Sequence, residues 1–200
     1  MKKIDIEISD EQIYEVLIDD VNKIWGDLEV NDKPHLRRNA IRAISSGIEG
    51  LVSHAKNTVL INANSMPDLY SEFEISALRE ETYSINDNGA IQIKSIYIPL
   101  KTSVKLIIKT LDKNQSIKHT ATLKHPGWDA LLRNVECRNR LMHPKKASDL
   151  KVSKRELDDA MRAFHWVLAL NLRVGDAVKN ALQIHLEIKK EKIKEVKLNN

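Results

Sequence analysis

One stretch limits the fold more than any other. Between residues 35 and 62, Ala40, Ile44, Ile48, Leu51, Val52, Ala55, Val59 and Leu60 recur at spacings that return to one helix face. Pro34 stands just before it, where a missing N–H is harmless at the first helical position. So long a helix cannot bury its stripe alone and needs other helices against it. Gly47 and Gly50 lie inside it. They weaken a helix, so they predict that a partner helix packs closely there.

The rest of the chain supplies such partners. Ile13, Val16, Leu17, Val21 and Ile24 mark a helix to about Trp25, capped by Ser9 or Asp10 and followed by a loop over 26–34. Helices are also expected at about 68–79, over 101–112, from about Trp128 to Met142, and from Ser153 onward. The last opens with Ser153 and Glu156 in a capping-box pattern and runs through Leu157, Phe164, Val174 and Val178. Leu131, Leu132, Val135 and Leu141 form the apolar side of the helix before it.

Strand signals are few. Ile4, Ile6 and Ile8 alternate with polar residues, which predicts a short strand over 3–8. Two β-prone runs flank Asn86-Asp87-Asn88-Gly89, a local hairpin signal. The expected fold is therefore mainly α, a helical bundle in one domain over 1–200. A β-hairpin is inserted at 80–100 and a charged tail covers 187–200.

Composition narrows the chemistry. The chain has 200 residues, 42% hydrophobic and 30% charged, enough apolar material for a core. Cys137 is the one cysteine, which rules out an internal disulfide and a multi-cysteine zinc site. His119 and His125 have no carboxylate spaced to share a metal, so no metal and no cofactor is expected. There is no phosphate loop or dinucleotide fingerprint, and Ser45-Ser46-Gly47 lacks the strand that a nucleophile elbow needs. MKKIDIEISDEQ has no apolar run and does not read as a signal peptide. No apolar run is long enough for a membrane span, so the expected location is the cytoplasm. Trp128 and Trp166 are expected in the core rather than as base-stacking platforms.

Charge gathers in one place. Net charge is +4 overall, yet residues 131–155 carry eight basic side chains against Glu136 and Asp149. A polyanion would be drawn to such a region. Within it stands VECRNRLMHPKK, residues 135–146. Pro144 disfavours α geometry at His143, so the helix should end there. Helix C-termini attract cations, and imidazole is the side chain that exchanges protons near neutral pH. Asn139 shares a helix face with His143. Arg138 sits about 140° round an ideal helix, within reach of the rim if the last turn distorts. A guanidinium to hold phosphate oxygens and an imidazole to move a proton are the minimum for RNA cleavage without metal.

Arg138-Asn139, three further residues and then His143 at a helix end in an all-helical chain resembles the HEPN superfamily. The helix RNAIRAISSGIEGLVSHAKNTVL, with Glu49 at its middle, is similar to the first long helix of its abortive-infection members. The resemblance covers roughly 35–62 and 127–180; the hairpin has no counterpart in it. It implies a helical bundle that pairs as a two-fold homodimer, with the two motifs forming one composite endoribonuclease site. It also implies a setting in phage defence, toxin–antitoxin or RNA-processing systems, with an antitoxin or other partner protein. Arg138, Asn139 and His143 are then the catalytic set, Glu49 an orienting group, and Arg133, Arg140, Lys145 and Lys146 contacts to the RNA backbone. Some HEPN domains keep the fold without activity, so the alternative is a silent module that binds RNA or a partner protein.

Overall fold

The computed structural model describes residues 13–66, 69–114 and 119–198. The expected strand at 3–8 and the caps at Ser9 and Asp10 lie outside them. The chain is mainly helical: α1 (Ile13–Val30), α2 (Pro34–Ser65), α3 (Glu72–Leu78), α4 (Leu100–Asn114), α5 (Pro126–Met142) and α6 (Lys154–Leu198). One antiparallel hairpin, β1 (Glu81–Ile85) and β2 (Ile91–Ser95), separates α3 from α4. Short 3-10 turns at His119–Lys124 and Ala147–Leu150 precede α5 and α6.

One helix outruns expectation. The loop expected from Gly26 shrinks to three residues, because α1 continues to Val30. Leu28 is buried two turns beyond Val21, and Trp25 donates to Glu29 across one turn, so packing outweighs the glycine. The start of α1 is less buried than its pattern suggests, with Ile13 and Val16 both exposed. The charged tail continues as helix to Leu198.

Contacts divide the chain into two compact units. One comprises residues up to 51 with 125–168; the other comprises 52–124 with the residues from 169 on. In the first, Ile41, Ile44 and Ile48 of α2 meet a core completed by Val21, Leu131, Leu141 and Phe164. The glycines of α2 sit where the approach is closest. A Cβ on Gly47 would stand 3.0 Å from Val21 and 3.1 Å from Phe164, and one on Gly50 would run into Leu17. Trp128 and Trp166 are buried, with ring centroids 5.9 Å apart.

In the second unit, Val59, Ile107, Ile108, Leu111 and Leu170 are buried. Ser71 and Glu74 form the capping box of α3. The hairpin turns through Asn86–Ala90: Asn86 Oδ1 accepts from the N–H groups of Asn88 and Ala90, and Gly89 takes φ +75°. This is the three-residue loop with a left-handed closing residue that favours glycine.

Candidate nucleic-acid interface at the end of α5

The site helix is fixed at both ends. At its start, His125 is the N-cap and its Nδ1 accepts from the N–H of Gly127 at 3.0 Å. Pro126 occupies the first turn, and Gly127 lies so close to Trp166 that a Cβ would come within 2.4 Å of the indole. Midway, buried Asn134 donates to Ser45 Oγ at 3.2 Å. At its end, His143 leaves the helix with φ −130° and ψ 60°, while its N–H still donates to the Asn139 carbonyl at 3.1 Å. The last turn therefore keeps α spacing, and Pro144 stops it.

Three of the residues singled out from the sequence meet. Arg138 Nη2 lies 3.5 Å from Glu49 Oε1, and Nη1 donates to Asn139 Oδ1 at 3.3 Å. Both contacts are long, and the Glu49 side chain is half exposed. His143 is not part of this set. Its ring is exposed and makes no hydrogen bond or ion pair among the described residues. Lys145 and Lys146 follow it, exposed, with their backbone N–H groups held by the Asp149 carboxylate at 2.9 and 3.1 Å. Those N–H bonds, Lys145 first, draw the Asp149 acid below the usual carboxylate range.

Arg133 and Arg140 serve the fold. Arg133 grips Asp159 with two bonds of 2.8 Å, which pulls that carboxyl below its ordinary range. Arg140 donates to the carbonyls of Asp149 and Lys151 and to the Glu156 carboxylate. That carboxylate is already held in the Ser153 capping box. Burial alone would raise the Glu156 acid, but the Ser153 N–H and hydroxyl and the Arg140 charge bring it below its ordinary value.

These two pairs wall a cavity of about 330 Å³ between α5 and α6, with Cys137 in its lining. Burial and the Glu156 charge push the Cys137 thiol up to about 11, so it is a packing residue rather than a nucleophile. Asp159 and Glu156 were not legible as arginine partners, since pairs 26 and 16 residues apart leave no local spacing. The one signal was Asp159 itself, a carboxylate beside the apolar stripe of Leu157, Ala160, Ala163 and Phe164.

No helix among the described residues is long and apolar enough to cross a membrane. Comparison with protein-family models, with curated proteins and with solved structures found no match.

Proposed function

We propose that the chain is a HEPN-type, metal-independent endoribonuclease whose active site is completed by a second copy. The observation that carries this reading is the contrast among the cations of α5 and its following loop. Arg133 and Arg140 are saturated by strong internal bonds, whereas Arg138 has only long contacts and the His143 ring has none. Side chains held this loosely at a helix end are free to meet a phosphate.

Within one chain, the contacts of Arg138 lead to Glu49 and Asn139 and not to His143. The proposal therefore joins the imidazole of one copy with the guanidinium of the other across a two-fold axis. The RNA 2′-hydroxyl attacks the adjacent phosphorus and gives its proton to one imidazole. The bond from phosphorus to the 5′-oxygen breaks, and the symmetry-related imidazole protonates that oxygen. The products are a 2′,3′-cyclic phosphate and a 5′-hydroxyl. Arg138 stabilises the charge that develops on the phosphoryl oxygens. Asn139 positions substrate, Glu49 orients Arg138, and Lys145 and Lys146 hold the flanking backbone. Arg133 and Arg140 add positive charge to the surround while anchoring the helix. In this reading the protein works in the cytoplasm, in a defence or toxin–antitoxin setting with an antitoxin or partner protein.

The test is cleavage of structured RNA in EDTA by the wild-type chain, Arg138→Ala and His143→Ala. Cutting that survives chelation, leaves 2′,3′-cyclic phosphate ends and is lost in both variants is the expected result. Equal activity in all three refutes the mechanism. Salt-sensitive RNA binding with no cleavage would favour the silent module instead.

A further inference from the structure

The hairpin carries a second feature, and nothing in it depends on the ribonuclease reading. Every residue of β2 is exposed, and Ile85, Ile91 and Ile93 are 76%, 72% and 62% exposed. A two-stranded hairpin is marginal in water on its own. Natural edge strands are usually guarded by charges, proline or bulges. Here Lys94 is the only charged side chain on β2.

The bonding pattern shows which backbone groups have no partner among the described residues. Asn86 donates to Ala90, and Ile96 donates to Glu80. Bonded pairs alternate along an antiparallel ladder, so Ser84 with Gln92 and Thr82 with Lys94 also bond inward. The residues between them on β2, Ile91, Ile93 and Ser95, turn N–H and C=O away from β1. The β2 edge thus offers three outward donor–acceptor sets on a five-residue strand.

We infer that this edge pairs with the β2 edge of a second copy of the chain, giving a four-stranded antiparallel sheet with a two-fold axis through Ile93. Full overlap of two five-residue strands requires this register: Ile93 faces Ile93 of the second copy, and Ile91 faces Ser95. All of these are outward pairs, so roughly six backbone bonds form. Charge agrees, because Lys94 falls opposite Gln92 and the two lysines never meet. Tyr83, Ile85, Ile91 and Ile93 share one face by strand alternation, so the two apolar faces become continuous. Two-fold pairing also leaves no β2 edge for further growth. The contact is small, below the roughly 1,200 Å² of standard interfaces, so the pairing is weak and concentration-dependent.

The test is disulfide capture on the full chain with Cys137→Ser as background. Ile93→Cys should oxidise to a covalent dimer, since the two Cα atoms of a bonded pair lie about 5.5 Å apart. Ile91→Cys should not, because its copies would stand about 13 Å apart along the strands. Sedimentation of Ile93→Pro supplies a second readout. That N–H faces outward, so proline spares the hairpin ladder, and the rise of solution mass with concentration that β2 pairing causes should be lost. Ile93→Lys, which puts two cations on the axis, should do the same. Failure of Ile93→Cys to dimerise, equal capture at position 91, or unchanged mass in both other variants overturns the inference. A wild-type chain whose mass does not rise with concentration also overturns it.

Discussion

Replacing Gly127 by alanine should destabilise the protein although alanine is the better helix former. In an open helix the change gains up to about 1 kcal/mol. At Gly127 the added Cβ would lie 2.4 Å from Trp166 Cγ and 2.5 Å from Trp166 Cβ. Ordinary contact begins near 3.4 Å, so the start of α5 must move by about 1 Å. The obstacle is the root of a buried indole, which cannot swing aside without displacing α6. Overpacking of this kind costs about 1–3 kcal/mol. For a chain of this size each kcal/mol moves the melting midpoint by roughly 2–4 °C. Two comparisons isolate the cause. Nothing lies within 4 Å of a Cβ at Gly26, so Gly26→Ala should raise stability by roughly 0.5–1 kcal/mol. At Gly50 the obstacle is the tip of Leu17, a flexible side chain, so Gly50→Ala should fall between the two. Urea unfolding followed by tryptophan fluorescence measures all three. A Gly127→Ala protein as stable as wild type would show that α5 and α6 do not meet as described.

On the proposed ribonuclease mechanism, Glu49→Ala should lower cleavage at saturating RNA about tenfold with little change in KM, since a misoriented Arg138 would fail in the transition state more than in binding; an unchanged rate makes Glu49 a surface residue. The carboxyls of Asp159, Glu156 and Asp149 all lie below their ordinary range in the folded chain. Groups depressed on folding contribute stability above their unfolded pKa and lose it as pH falls through the folded value. Unfolding free energy should therefore drop on acidification below about pH 4, and Asp159→Asn should flatten that dependence, as urea titrations at a series of pH values would read. Cys137, buried with its thiol pushed up to about 11, should react with a thiol reagent far more slowly in the folded chain than in the unfolded one. Rapid labelling under native conditions would contradict its burial.

Helix identity was legible because periodicity survives without knowledge of partners. The stripe of α2, the Ser153 capping box and the Asn-Gly turn each determine local structure by short-range physics. The end of α1 was misjudged because Gly26 is a local signal, while Leu28 answers to burial supplied by other elements. At the candidate site, the neighbours Arg138 and Asn139 and the place of His143 at the helix end were readable along the chain, but not that the His143 ring stands apart from the Arg138 contacts. What could not be read was which arginines are already occupied. That depends on Asp159 and Glu156, brought alongside α5 only when α6 packs. Sequence therefore ranked four cations alike where the fold separates two anchored ones from the exposed lysines.

The Asp149 carboxylate and the Arg140 fork bind the main chain just beyond His143 at Lys145, Lys146, Asp149 and Lys151. The helix end binds it just before. Backbone freedom is thus already surrendered when the chain folds, and the imidazole keeps only its two side-chain torsions. A ligand that engages it has little disorder left to remove, no more than about 0.5–1.5 kcal/mol. Cutting the tether with Asp149→Ala would return that freedom to the turn, so the ring's encounter with any anion would become entropically dearer without a single contact to the anion being lost.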